Sequence, residues 1–337
     1  MNKKFKISFI CIVEAGDLER KVILLGESLR RVFANKDDVP IFAVRPRKGR
    51  EIEKTTMEAF YNLGIEYIYK PINVKWRNLA FANQVYGPAL IEEQMKDQTE
   101  ILVYLDADIV CLKMPDRLFL RDKEKVLVVP IDVKDACGVL YGQSFPSNWN
   151  FVYDLNGINK NNLWTVVTNV DNTKIYPCFN SGLIAVRPEV GIFRKWKEML
   201  EGSIDKGYFG KFSPISKEFF FTDQVFLASA ILSLANKDEI VVMTKDYNFP
   251  LTYAKRISEE DGIIDLNTIT FLHYHKSFYN LEWVNYVYMN DEIKNWLMPK
   301  LPLIRDRKTA RYRLKSEIAR QYLIHYYWKI KGILSNG

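Results

Sequence analysis

The sequence predicts an α/β fold with a mostly parallel, Rossmann-like central sheet and helices on both faces. Short apolar runs alternate with segments of helical period as far as Leu272, the pattern of repeated βα units. Several runs, such as Ile101-Leu102-Val103-Tyr104-Leu105, are apolar throughout, as strands covered on both faces must be. The composition, 48% hydrophobic over 337 residues, supports a large buried core and excludes disordered and fibrous classes.

Taken in order, residues 6–13 read as a strand. Residues 18–33 read as a helix with Val22, Leu25, Leu29 and Val32 on one face. A short strand at 40–44 precedes a helix at 51–63 that Gly64 ends as a C-terminal cap. Residues 65–69 form a strand, and 77–95 a helix that Gly87-Pro88 kinks. Strands follow at 101–105, 125–131 and 182–186, then helices at 190–200 and 223–234, then late strands at 240–243 and 268–272. Residues 134–171, rich in Gly, Asn and Ser, read as an irregular insertion of the kind that shapes substrate sites.

The apolar run at residues 7–13 is too short for a secretory leader and is followed at once by Glu14, Asp17, Glu19 and Arg20, so it reads as the first buried strand. No run approaches the ~20 apolar residues of a membrane span. The expected location is cytoplasmic, peripheral on the membrane if the tail binds it. The four cysteines, Cys11, Cys111, Cys137 and Cys178, lack CxxC spacing and read as buried, reduced thiols. Glycine-rich phosphate loops (G-x-G-x-x-G, G-K-S/T) are absent, so any phosphate is to be held by metal and side chains.

Chemistry concentrates at strand ends. Asp106-Ala107-Asp108 directly follows the 101–105 strand, at the carboxyl edge where open α/β sheets bind ligands. Two hard carboxylates there suit Mg²⁺ or Mn²⁺ bridging to substrate phosphates. His273-Tyr274-His275-Lys276 ends another strand; an imidazole makes a third ligand, and Lys276 a charge for a diphosphate. Asp132 ends the 125–131 strand. Asn180 and Gly182 stand at the start of the 182–186 strand, where a backbone approaches a ligand closely. Thr222-Asp223-Gln224 opens a helix, either as a cap or as a functional group.

These segments resemble the GT-A-fold glycosyltransferases of the retaining family 8 group, which includes glycogenin and bacterial lipopolysaccharide galactosyltransferases. The resemblance rests on Tyr-Leu-Asp-Ala-Asp at 104–108, Phe-Asn-Ser-Gly-Leu at 179–183, Thr-Asp-Gln at 222–224 and Leu-His-Tyr at 272–274, and covers roughly residues 5–280. It implies a metal-dependent transferase that moves a hexose from a UDP-sugar to a glycan or lipid-linked acceptor with retention. It further implies that Asp106, Asp108 and His273 hold Mn²⁺ (or Mg²⁺), and that Asp106 also contacts the uridine and ribose. Val13, Glu14 and Asp17 then line the nucleobase pocket. Asn180 and Asp132 touch the transferred sugar or acceptor, Asp223 holds sugar hydroxyls, Gln224 lies near the anomeric carbon, and Lys276 near the diphosphate.

The chain departs from the family in two places. The metal histidine is normally followed by Gly and then Lys-Pro-Trp, where this chain has His273-Tyr274-His275-Lys276-Ser277-Phe278, which leaves His275 open as the ligand. Where the family carries Arg before the Asp triplet stands Phe81-Ala82-Asn83, with Arg77 or Lys75 as substitutes. Competing readings are an inverting GT-A transferase with Asp223 as base, a nucleotidyltransferase, and a non-catalytic carbohydrate-binding protein.

Residues 1–300 form the expected catalytic domain and residues 301–337 a basic tail. The tail carries nine basic against two acidic residues, so it holds the whole excess of +7. Its residues 309–334 read as an amphipathic helix suited to an anionic membrane surface, or to packing on the domain. No nucleic-acid motif accompanies it.

Overall fold

The computed structural model describes residues 4–76, 79, 81–208 and 221–304, together with residues 322, 323, 326, 327 and 330. In chain order the described elements begin β1 (Phe5–Ile12), α1 (Asp17–Val32), β2 (Ile41–Arg45), α2 (Lys54–Leu63), β3 (Ile65–Tyr69), α3 (Ala82–Met95), β4 (Thr99–Leu105), β5 (Ile109–Cys111) and β6 (Val126–Pro130). They continue with α4 (Ser147–Leu155), β7 (Val166–Val167), β8 (Lys174–Ile175), β9 (Phe179–Val186), α5 (Ile192–Asp205), α6 (Thr222–Leu234), β10 (Ile240–Val242) and β11 (Phe249–Pro250). The last are α7 (Ala254–Asp261), β12 (Ile264–Asp265), β13 (Phe271–His273), β14 (Val287–Tyr288) and α8 (Asp291–Leu297).

The main sheet has seven strands in the order β10-β6-β9-β4-β1-β2-β3. It is parallel except where β9 runs antiparallel between β4 and β6. Side chains alternate between two cores, as the two-residue period of a strand requires. From β1, Ile10 and Ile12 join Leu102 and Tyr104 of β4 on the face covered by α3, α5 and α6. Ile7, Phe9 and Cys11 join Ile101, Val103 and Leu105 on the face covered by α1 and α2. Both helical layers are thus present, as expected.

Local chemistry accounts for the ends of the elements. Glu19 in the first turn of α1 accepts a hydrogen bond from the Gly16 backbone N–H (2.7 Å), and Arg30 and Arg31 occupy the last turn, each favourable to the helix dipole. Gly64 closes α2 at φ 60°, a left-handed conformation that costs glycine least.

Three expectations are corrected. The segment 134–171 contains a helix, α4, whose Trp149, Val152 and Tyr153 are buried in the first core. Its aromatic spacing was hidden among turn-forming residues. The helix expected from residue 77 starts in the described chain at Ala82, with Pro88 inside it; Arg77 lies outside the described residues. Asn180 and Gly182 do not stand at the entrance of the strand but lie inside β9, which begins at Phe179 and is buried along its whole length.

A second sheet, β11-β13-β5, sets the position of the histidine segment. After Asp108 the chain leaves the main sheet as β5 and pairs antiparallel with β13, His273 opposite Ile109. Of the tail helix expected at 309–334, residues 322, 323, 326, 327 and 330 are helical, with Leu323, Tyr326, Tyr327 and Ile330 exposed; the remainder lies outside the described residues. Among the described residues no helix is long and apolar enough to cross a membrane.

Candidate active site

Two registers assemble the site. Beyond the paired Leu105 and Leu183, the Asp106 N–H donates to the Gly182 carbonyl (2.8 Å), which carries β4 to its last residue against β9. The Ile109 N–H donates back to the Asp106 carbonyl (3.2 Å), so the chain turns over the buried Ala107 and both carboxylates stand at the strand's carboxyl edge. The Tyr274 N–H donates to the Asp108 carbonyl (3.0 Å), which ties the histidine segment to the same turn.

As a result, ligand atoms of Asp106, Asp108 and His273 all lie within 4.8 Å of one another. His273 Nε2 is 3.3 Å from Asp108 Oδ1. The Tyr104 hydroxyl donates to Asp106 Oδ1 (2.6 Å), leaving Oδ2 turned toward Gly182. A Cβ on residue 182 would sit 2.8 Å from His273 Cε1, 2.9 Å from Asn180 Oδ1 and 3.0 Å from Asp106 Oδ2. Glycine here is a matter of room: a side chain would fill the space between the imidazole and the carboxylate. The cradle and its two carboxylates plus one imidazole fit Mn²⁺ or Mg²⁺.

His275 is not part of this cluster. It adopts φ 46° and stacks on His273, ring centroids 3.8 Å apart, as a backing ring. Burial and the neighbouring His273 charge push it down to about 3, so it stays neutral.

The electrostatics describe a site short of positive charge. Burial and the charge of Asp108 push Asp106 up to about 6. Burial also pushes Asp132 up to about 6, against the pull of His273. Asp223 reaches about 6 by burial, with Ser181 opposing and the Asp106 charge adding to the rise. Asp108 behaves differently. Burial would raise it, but His273 and Lys21 hold it below the ordinary carboxylate range. Burial would lower His273, and Asp108 outweighs that and raises it. Several carboxylates crowded together resist ionisation until a cation joins them.

The remaining residues surround this centre. Asp223 lies inside the first turn of α6 rather than at the cap, which is Phe221. Its Oδ2 accepts from Ser181 Oγ (2.6 Å) and Gln84 Nε2 (2.7 Å). Gln224 Oε1 accepts from Cys137 Sγ (3.3 Å). Asn180 Oδ1 accepts from the Gly182 N–H (2.8 Å) and Asn248 Nδ2 (3.0 Å). Asp132 Oδ1 is buried without a hydrogen-bond partner among the described residues.

At the end of β1, Val13 is wholly in the core. Glu14 is buried against Arg47, whose Nη2 donates to Oε2 (2.7 Å), and accepts from Asn83 Nδ2 (2.8 Å). Asp17 lines a separate cavity of about 540 Å³ with Gly16, Arg20, Arg50 and Thr55. Lys276 is exposed. Lys75, proposed to stand in for the family arginine, pairs with Asp205 at the surface.

Lys21 was not foreseen. It extends from α1 to place Nζ 3.0 Å from Asp108 Oδ2, with only 12% of its side chain exposed. No local pattern marks it, since α1 and the Asp triplet are far apart in sequence. Gln84 and Asn248 were missed for the same reason, whereas Tyr104 stands inside the 104–108 motif and was passed over as part of the apolar strand.

The domain built around these strand ends is a glycosyltransferase domain. Over residues 9–235, more than half of the chain, the sequence matches the family described as the Rhodobacterales glycosyltransferase domain, and the chain belongs to that family. The resemblance to glycosyltransferases read from the motifs is thereby borne out; the family match ends before His273. No curated protein sequence matches the chain. Among solved structures it is similar to the galactosyltransferase LgtC in complex with donor and acceptor sugar analogues, at 11% identity over 90% of this chain and 99% of that one, with a TM-score of 0.48. The glycosyltransferase GlyE of Streptococcus pneumoniae is 14% identical over 98% of this chain and 64% of that one, with a TM-score of 0.44. Mouse xyloside xylosyltransferase 1 is 11% identical over 81% of this chain and 98% of that one, with a TM-score of 0.42. At these scores the likeness carries no argument about chemistry.

Proposed function

We propose that this glycosyltransferase is a divergent GT-A enzyme that transfers a hexose from a UDP-sugar to a glycan or lipid-linked acceptor, with a divalent ion and retention of configuration. One observation carries the reading: Asp106, Asp108 and His273 converge within 4.8 Å around the space that Gly182 leaves open. These three residues would hold Mn²⁺ or Mg²⁺. When bound, such an ion would supply positive charge that stabilises the departing UDP.

The protein's own groups orient the sugar. Asp132 Oδ1, buried and without a hydrogen-bond partner among the described residues, is suited to accept from a sugar hydroxyl. Asp223, already accepting from Ser181 and Gln84, is aligned for a second set of hydroxyls. Asn180 fixes the backbone of residue 182 and contacts sugar or acceptor. Gln224 faces the anomeric carbon. An amide is a poor nucleophile, so a double displacement through Gln224 is disfavoured. Instead the acceptor hydroxyl attacks from the face that UDP leaves, its proton passing to the leaving phosphate oxygen as the C–O bond breaks. Gln224 Oε1 then stabilises positive charge on the sugar. In the inverting alternative Asp223 is the base; the two hydrogen bonds already on its Oδ2 favour the binding role.

Asp106 contacts the ribose and uridine, and the segment of Val13 and Glu14 that follows β1 forms the nucleobase side of the site, Asp17 facing the separate cavity beside it. The tail at 301–337 lies on an anionic membrane surface, a reading supported by exposed Leu323, Tyr326, Tyr327 and Ile330. Sedimentation with liposomes tests it: equal binding by a chain truncated at Pro302 removes the membrane role.

A screen of UDP-sugar hydrolysis with Mn²⁺ tests the central reading. Slow, Mn²⁺-dependent hydrolysis of one donor is expected. Metal-independent rates for every donor, or calorimetry showing no Mn²⁺-dependent UDP binding, would exclude it. The anomeric configuration of the product, read by NMR, separates retention from inversion.

A further inference from the structure

Lys21 is a nearly buried ammonium with one short-range anionic partner among the described residues, and that partner is a candidate metal ligand. Its Nζ lies 3.0 Å from Asp108 Oδ2, while Asp108 Oδ1 faces His273 Nε2 at 3.3 Å. The rings of Tyr274 and Tyr279 lie beside the ammonium, their centroids 5.9 and 6.0 Å from Nζ. Such contacts are favourable to a cation but do not neutralise it. Asp106 lies farther off and adds only long-range attraction.

A buried cation held by a single carboxylate is sensitive to anything that draws on the same carboxylate. A divalent ion bound by Asp106, Asp108 and His273 does so, because it takes up the negative charge that Lys21 relies on. The ammonium then needs a second anion within a few ångströms. The only part of a sugar nucleotide that brings negative charge to that place is its diphosphate. Lys276, the lysine of the histidine segment, is exposed, whereas Lys21 is already seated against Asp108.

We infer that Lys21, from helix α1, is a donor-diphosphate ligand that shares Asp108 with the metal and turns to a phosphate oxygen when the nucleotide binds. This rests on the sugar-nucleotide reading above. The inference has a signature that a packing role lacks. Removing the ammonium frees Asp108 for the ion while depriving the diphosphate of a charge-assisted hydrogen bond, so the two affinities move in opposite directions.

Mn²⁺ alone is measured by electron paramagnetic resonance, and UDP in saturating Mn²⁺ by calorimetry, on the full chain, Lys21→Met and Lys21→Arg. Met keeps the apolar stem and its volume, and the thermal midpoint reports whether the fold is intact. Lys21→Met is expected to bind UDP about 10-fold more weakly or worse, the scale of one lost charged hydrogen bond, and to bind Mn²⁺ alone more tightly. Lys21→Arg should restore part of the UDP affinity. Wild-type UDP affinity in Lys21→Met, or parallel loss of Mn²⁺ and UDP, overturns the inference while leaving the sugar-nucleotide reading standing. Absence of Mn²⁺-dependent UDP binding in the unmodified protein overturns both.

Discussion

Gly182 faces His273 so closely that a Cβ added to it would lie 2.8 Å from the imidazole Cε1. The contact lies across the strand pairing that seats Asp106, so crowding it displaces both the imidazole and the carboxylate. Gly182→Ala should weaken Mn²⁺ binding by about 10-fold or more, the usual cost of disturbing groups that orient metal ligands. The thermal midpoint should fall by a few degrees, as overpacking of a buried position costs about 1–3 kcal/mol. Unaltered Mn²⁺ affinity, measured by electron paramagnetic resonance, would mean that the space beside Gly182 is not where the ion sits.

Metal dependence should follow the three ligands. Asp108→Ala and His273→Ala are each expected to reduce Mn²⁺-dependent donor hydrolysis by about 1,000-fold, in line with the several kcal/mol of charge stabilisation a metal provides. A chelator should abolish wild-type activity and leave no residue for these variants to lose. Full rates in chelator would separate the reaction from the cluster.

A pH test of stability falls on Glu92, far along α3. It is buried, accepts hydrogen bonds from the Phe193 and Arg194 N–H groups (3.1 and 2.8 Å), and is reached by Arg194 Nε (3.2 Å). Burial outweighs these contacts and raises the carboxyl from an ordinary 4.5 to about 7. A folded-state value above the unfolded one means its stabilisation is complete below about pH 4.5 and lost as pH rises through about 7. Glu92→Gln removes that loss. Urea unfolding at pH 5 and pH 8 should therefore show the variant gaining on the wild type as pH rises, by at most about 1.4 kcal/mol per pH unit. A constant difference between the two proteins would contradict the raised value.

One of a pair of neighbouring thiols adjoins the candidate catalytic amide. Cys137 Sγ lies 2.9 Å from Cys178 Sγ and 3.3 Å from Gln224 Oε1. Burial pushes Cys137 well above the usual thiol range, which keeps it protonated and slow to react. Added hydrogen peroxide should nevertheless join this pair, two thiols giving one disulfide as peroxide is reduced to water. Peptide mapping is expected to find Cys137 linked to Cys178 and donor hydrolysis to change as Gln224 loses its S–H donor. Four titratable thiols after prolonged oxidation would count against it.

The main strands were readable to within a few residues because each is an apolar run, and those of β1, β4, β6 and β9 are buried along most or all of their length. Gly64 was read as a cap because a left-handed residue after a helical run favours glycine. Helix α4 was not readable: its buried Trp149, Val152 and Tyr153 are interleaved with Asn148, Asn150 and Asp154, which resemble loop composition. Lys21 could not be singled out from the other basic residues of α1, because its partner Asp108 is brought to it only by the packing of that helix beside β5.

By itself the sequence determined the alternation of strands and helices, the carboxylates at the end of β4, the imidazoles at the end of β13 and the order of the motifs, since each is a short-range property of the chain. Only the tertiary structure decided which histidine reaches the carboxylates. The antiparallel register of β5 with β13 sets His273 opposite Ile109, one residue from Asp108, and turns His275 into a stacked support behind it. It also decided that the cation beside Asp108 comes from α1, because the distance between Lys21 and Asp108 is set by the packing of a helix on a sheet and not by any local sequence preference.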